Sequence, residues 1–186
     1  MMDLEGRARR FAAEAHGRVG QVRKYTGEPY IVHPAAVVEL VRTVPHTEAM
    51  LAAAWLHDTV EDTDVGPDDI QSEFGAEVAA LVSWLTDVSR PEDGNRATRK
   101  AIDRDHLARA PGSAQTIKLA DLIDNSRSIM LCDPKFAKVY LPEKRALLSV
   151  LGRGAPTLFV LAETITAEFE AARAPMPYGI RRPGAG

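Results

Sequence analysis

The chain has 186 residues, 45% hydrophobic and 26% charged, which is enough for one compact domain with a real core. A formal net charge of −3 leaves no overall basic footprint, so nucleic acid is not an expected partner. The single cysteine, Cys132, excludes an internal disulfide and a cysteine-built zinc cluster, and it fits a reducing, cytoplasmic setting.

The charged start, Met1 to Arg10, lacks the apolar segment of a signal peptide. No stretch approaches the ~20 apolar residues of a membrane span, so no membrane partner is expected. Leu4, Ala8, Phe11, Ala12 and Ala15 recur at helical spacing and predict a first helix over about 3–16. Arg23 to Tyr30 reads as a turn with two adjacent cations, Arg23 and Lys24. Pro34 suits the first turn of a second helix, carried by Val37, Val38, Leu40 and Val41, with His33 at its mouth. Thr47 is the expected cap of a central helix. Pro67, Asp68 and Asp69 open a short helix that Gly75 ends, and Val78, Leu81, Val82 and Leu85 mark the next. Arg90 to Thr98 is the expected mobile loop, followed by a charged helix over about 97–109. Ile117 to Ile129 forms a strongly apolar helix carrying Lys118, Asp121, Asp124 and Asn125. Pro134 and Pro142 are expected to bracket a short helix with Phe136 and Tyr140, and the last two helices to run about 142–151 and 156–172. Alternation of period two is scarce, which predicts an all-α fold: one domain over 1–174 and a disordered tail over 175–186. Cys132 and His16 read as packing or structural residues, and His46 and His106 as exposed.

The central stretch, Leu51 to Thr63, carries the chemistry. Its first half is apolar on every side and reads as a buried helix. If that helix continues, His57, Asp58, Glu61 and Asp62 share one broad arc of it. One histidine and three carboxylates at the end of a buried helix are costly unless a cation offsets the charge, which points to a metal centre.

His33, then His57-Asp58, then Asp121 within Lys118-Leu119-Ala120-Asp121 resembles the H…HD…D pattern of the HD phosphohydrolases. Gly20-Gln21-Val22-Arg23-Lys24 and Gly27 to Pro34 look like the opening motif of the RelA/SpoT hydrolase domain, and His57 to Asp62 like its HDxxED signature. Phe74-Gly75 and the Asp121–Asn125–Arg127 segment continue the match in order, over roughly 8–150. The chain is also similar in extent to the metazoan SpoT homologues, which suggests a stand-alone small alarmone hydrolase. One departure stands out: the family often has an aromatic residue or His just before the Asn, where this chain has Asp124.

The resemblance implies an HD-domain helical bundle. It implies His33, His57, Asp58 and Asp121 as ligands of one divalent ion, manganese in the family. Such a set of imidazoles and carboxylates also suits Fe²⁺ or Zn²⁺. Glu61 and Asp62 correspond to the family's water-handling pair. Asn125 matches its substrate-contacting Asn, and Arg23, Lys24, Lys118, Arg127, Tyr140, Lys144 and Arg145 are further candidates for substrate contact. The implied reaction is hydrolysis of the 3′-diphosphate of ppGpp or pppGpp, a guanosine nucleotide. Adenosine alarmones or the ribose phosphate of NADPH offer similar phosphate geometry, and a non-catalytic alarmone sensor or antitoxin-type partner is the alternative from another class. Each residue also has a plainer reading: a polar helix end for His57 and Asp58, a solvated helix end for Glu61 and Asp62, a solvated turn for Arg23 and Lys24. Several motifs in one order favour the chemistry.

Overall fold

The structure is a computed structural model that describes residues 3–173; the expected tail, from Pro175 onward, lies outside them. Among the described residues the chain is all-α, as its patterning predicts, with one isolated bridge between Val22 and Pro29. Helix α1 (Leu4–Arg18) starts where the Asp3 carboxylate accepts from the Gly6 amide at 2.8 Å. Its face of Ala8, Ala12 and Ala15 is fully buried, and it packs on α3 (Glu48–Leu56), in which every residue from Ala49 to Leu56 is buried. Alanines on both partners let the helix axes come close. Thr47 caps α3 by accepting from the Met50 amide at 3.2 Å. Helix α3 also touches α2 (Val32–Arg42), α6 (Ala76–Leu85) and α8 (Gly112–Cys132), so it is the hub of the bundle.

The central helix does not run through to Thr63. It stops at Leu56, His57 and Asp58 form a turn, and α4 (Thr59–Asp62) is a separate single turn. Side chains take the carbonyls that a continuing helix would use: His57 Nδ1 donates to the Ala54 carbonyl at 2.9 Å, and the Thr59 hydroxyl to that of Leu56 at 2.7 Å. The loop before α2 is a tight reversal. Gly27, at φ 71°, turns the chain so that its amide donates to the Arg23 carbonyl, and Arg23 N in turn donates to the Glu28 carbonyl.

Helix α5 (Pro67–Phe74) ends at Gly75 as predicted. The expected mobile loop is shorter than Arg90 to Thr98. Buried Asp103 accepts from the Val88 and Ser89 amides at 3.0 and 2.8 Å, a 3-10 turn spans Pro91–Asp93, and Asn95 caps α7 (Arg96–Leu107). Helix α9 (Pro134–Leu148) runs straight through Pro142, where a boundary is expected from the sequence. Pro142 and Lys138, four residues before it, are both exposed, so water can serve the carbonyl that lacks a donor. Helix α10 (Pro156–Arg173) closes the described chain. Cys132 is exposed, not packed, and His106 is half-buried by stacking on Trp84 at 4.7 Å. No helix among the described residues is long and apolar enough to cross a membrane.

The long helix α8 is fixed at its N-terminal end by Gln115, which is fully buried. Its amide donates to the Leu107 and Val150 carbonyls at 3.0 and 3.2 Å and accepts from the Arg153 amide at 2.9 Å. The crossing chain comes so close that a Cβ on Gly154 would stand 2.6 Å from Leu119 Cδ1 and 3.1 Å from the Gln115 carbonyl carbon. Gly154→Ala should therefore cost roughly 1–3 kcal/mol in urea unfolding. Gly152→Ala, whose Cβ would meet nothing within 4 Å, should stay within about 0.5 kcal/mol of the parent.

Candidate metal centre

Three elements converge on one point: the first turn of α2 brings His33, the turn after α3 brings His57 and Asp58, and the middle of α8 brings Asp121. His57 Nε2 lies 3.0 Å from Asp58 Oδ2 and 3.9 Å from Asp121 Oδ1; His33 Nε2 lies 3.5 and 3.3 Å from the same two oxygens. Ligands about 2.1 Å from a shared ion stand about 3.0 Å apart at right angles and about 3.4 Å at tetrahedral angles, so these spacings fit one cation. His33, His57 and Asp58 offer ligand atoms all within 4.8 Å of one another; Asp121 stands outside that group of three but brings Oδ1 to 3.3 Å from His33 Nε2 and 3.9 Å from His57 Nε2.

The nitrogens themselves point to a ligand. Among the described residues both Nε2 atoms are buried without a hydrogen-bond partner, while both Nδ1 atoms are engaged: His57 with the Ala54 carbonyl, His33 with Asp124 at 2.7 Å. Donation from Nδ1 leaves the Nε2 lone pair facing the carboxylates. Burial opposes charge on His33, but Asp121 and Asp124 outweigh it and lift the ring to about 9; burial opposes charge on His57 too, and Asp58 raises that ring above its ordinary value. Burial likewise opposes ionisation of Asp58 and Asp121. His57 holds the first, and Lys118 the second, well below the usual carboxylate range. The carboxylates thus draw positive charge toward the rings. A divalent ion answers the same field while leaving the rings neutral, as ligation requires. The donor set fits a metal ion.

A second ring of contacts holds the first. The Tyr30 hydroxyl donates to Asp58 Oδ2 at 2.5 Å. Lys118 Nζ pairs with Asp121 Oδ2 at 2.8 Å, and Asn125 Nδ2 donates to Asp121 Oδ1 at 2.6 Å. Arg23 donates to Asp124 and Ser128 at 2.9 Å and to the Asn125 side-chain oxygen at 3.3 Å. Tyr30 and Asp124 are absent from the set of residues that sequence reasoning selects; helical spacing could have found Asp124, one turn after Asp121 on α8, whereas Tyr30 lies in the turn before α2.

Glu61 and Asp62 part company. Asp62 accepts from Gln21 Nε2 at 2.8 Å, and Gln21 Oε1 is 2.5 Å from Nδ1 of buried His16. Glu61 accepts from the Asp87 amide on the other side, at 2.5 Å. Glu61 keeps solvent access, but protein crowded around its carboxyl, and then the Asp87 charge, push it up to about 7.

Beside Asp121 opens a cavity of about 750 Å³ between α7, α8 and α9. Of the sequence-selected substrate residues, Lys118, Asn125, Tyr140 and Lys144 line it, and Phe136 lines it with them. Arg23, Lys24 and Arg127 do not: Arg23 sits behind Asp124, Lys24 reaches Asp133 at 3.4 Å, and Arg127 is exposed.

The HD domain family matches residues 8–142, most of the chain and all four cage residues. The chain belongs to that family. Similar proteins include a probable guanosine-3′,5′-bis(diphosphate) 3′-pyrophosphohydrolase of Synechocystis sp., 39% identical over 67% of this chain. The guanosine-3′,5′-bis(diphosphate) 3′-pyrophosphohydrolase MESH1 of Danio rerio is 37% identical over 67% of this chain and 68% of its own. A solved structure described as a metazoan orthologue of SpoT that hydrolyses ppGpp superposes with a TM-score of 0.79 at 27% identity, covering 90% of this chain and 96% of that one. This HD domain spans only 16% of the Synechocystis protein.

The cations lining the HD domain's cavity are largely spoken for. Arg96 pairs with Glu143 at 2.7 Å, Lys100 with Asp87 at 2.9 Å and Lys118 with Asp121. Lys144 differs: it is 1% exposed, and its Nζ has no hydrogen-bond partner among the described residues. Burial, and then the Arg145 charge, lower it to about 8. The folded protein holds this proton less tightly than the unfolded chain. The resulting destabilisation is full below about 8 and fades as pH rises toward 10.5. Lys144→Met should therefore raise stability at pH 7 by roughly 1–3 kcal/mol in urea unfolding, and the gain should shrink above pH 9.

Proposed function

We propose that this chain is a metal-dependent cytoplasmic hydrolase that removes the 3′-diphosphate of ppGpp or pppGpp, releasing pyrophosphate and GDP or GTP. The observation that carries the reading is the pair of orphaned, buried Nε2 atoms facing Asp58 and Asp121 at the edge of a cavity with room for a nucleotide. The names of the Synechocystis and Danio rerio relatives, and the ppGpp hydrolysis ascribed to the metazoan structure, support the substrate.

His33, His57, Asp58 and Asp121 would hold one divalent ion, and Mn²⁺ suits two imidazoles with two carboxylates. Such an ion, when bound, polarises a phosphoryl oxygen and lowers the pKa of water. The chain's own groups do the rest. Glu61 takes the proton of the attacking water, which a carboxyl near 7 can do at neutral pH. Asp62, held by Gln21, orients that water. A new P–O bond forms to water, the bond from phosphorus to the ribose 3′ oxygen breaks, and that oxygen takes up a proton. Lys118 and Asn125 meet the phosphates from the cavity wall, buried Lys144 adds its charge from behind that wall, and Phe136 and Tyr140 offer aromatic faces to the base.

With ppGpp and Mn²⁺ the purified protein should release pyrophosphate; its absence at every metal loading would overturn the reading. Asp58→Asn should lose metal and activity together. Glu61→Gln should keep the metal and lose about 10²–10⁴-fold in kcat. In the parent enzyme kcat should rise with pH and reach half its plateau at or below about 7, since a nearby cation lowers the same carboxyl further. Glu61→Gln should flatten that limb. A kcat that falls across the same range would instead make Glu61 an acid.

A further inference from the structure

Asp124 stands where the resemblance to the RelA/SpoT hydrolases implies an aromatic residue or His, and the structure gives it a definite setting. Its Oδ2 accepts from His33 Nδ1 at 2.7 Å and, on the same oxygen, from Arg23 Nη2 at 2.9 Å. Arg23 Nη2 also donates to the Ser128 hydroxyl at 2.9 Å, and Nη1 to Asn125 Oδ1 at 3.3 Å; Asn125 in turn donates to Asp121. One guanidinium therefore stands behind two ligands, reaching His33 through Asp124 and Asp121 through Asn125. Arg23 and Asp124 are both largely buried, with side chains 14% and 18% exposed, so water competes little for these bonds.

We propose that Asp124 is a positioning residue for the metal centre: a carboxylate that fixes the ring and tautomer of His33 and so sets how tightly the cage holds its ion. The proposal rests on the metal reading of the cage and extends it. A ligating imidazole must present a lone pair on one nitrogen, and the group bound to the other nitrogen decides which. A carboxylate acceptor fixes the hydrogen at Nδ1 more firmly than a neutral carbonyl and makes Nε2 a better donor to metal. His57 relies on a neutral acceptor, the Ala54 carbonyl, so the two rings are supported unequally. Arg23 offsets the added negative charge. Asp124 therefore acts chiefly through ring orientation and basicity, not by raising the net charge of the site. Asp124 lies one helical turn after Asp121 on α8, so one helix supplies both a ligand and the support for another ligand.

The test uses the full chain and Zn²⁺ as a diamagnetic probe, with affinity measured by competition against a chromophoric chelator. Asp124→Ala should weaken Zn²⁺ binding about 10–100-fold, and Asp124→Asn, which keeps an acceptor oxygen without the charge, should fall between it and the parent. The midpoint of metal-free thermal unfolding separates positioning from mere structural support. A lowered metal-free midpoint with unchanged Zn²⁺ affinity would overturn the proposal. Nitrogen-15 spectra of the unaltered, Zn²⁺-loaded protein give a second reading that needs no variant. They should find the His33 hydrogen on Nδ1; a hydrogen on Nε2 would overturn the proposal. If the parent chain binds no Zn²⁺ or Mn²⁺ at all, the metal centre itself is refuted and this inference falls with it.

Discussion

The rest of the molecule depends on holding two imidazoles and two carboxylates together in a helical interior. Left without a cation, such a cluster carries polar atoms that nothing satisfies, and His33 Nε2 and His57 Nε2 are in that position. The outer sides of the same rings are fully committed, to Asp124 and to the Ala54 carbonyl. The protein thus aims lone pairs inward and spends its own hydrogen bonds on keeping them there. Tyr30, Asn125 and Lys118 do the same for Asp58 and Asp121.

The fold serves that arrangement by making its hub featureless. Helix α3 is apolar from Ala49 to Leu56 apart from the Trp55 indole, whose N–H donates to Glu5 at 3.3 Å, so it can be packed from several sides by α1, α2, α6 and α8. Two of those neighbours, α2 and α8, then bring His33 and Asp121 to its C-terminal end. The break after Leu56 is as important as the packing. A continuous helix would keep His57, Asp58, Glu61 and Asp62 on one arc. The turn at His57-Asp58 instead gives the first two to the cage and leaves Asp62 to Gln21 and Glu61 to the Asp87 amide. The height of α8, and with it Asp121, is set about one and a half turns away by buried Gln115 and the close approach of Gly154.

Cage and cavity share Asp121, whose two oxygens face opposite duties: Oδ1 toward the imidazoles, Oδ2 toward Lys118 on the cavity wall. Around that wall Arg96 and Lys100 are already matched with carboxylates, which keeps the lining ordered at little net charge. Lys144 is the exception, a buried ammonium without a hydrogen-bond partner among the described residues, held at a cost in stability.

The sequence by itself determined the helical class, through apolar periodicity, and singled out His33, His57, Asp58 and Asp121 through their resemblance to a family's motifs; the structure brings those four side chains together. His57-Asp58 and Lys118 to Asp121 read as chemistry because neighbouring residues carry the pattern. Cap signals such as Thr47 and Gly75 were equally legible, since a cap is a contact within a few residues. What only the tertiary structure decided were the features governed by distant partners. Helix α9 passes through Pro142 because that face is wet, and Asp103, from within α7, takes the Val88 and Ser89 amides just ahead of the loop expected at 90–98. Arg23 turns from the cavity to Asp124, 101 residues away in the chain. Spacing along the chain reports which side chains share a face; it carries no record of which face of another helix will meet them, and that meeting fixed what each charged group of this site is bound to.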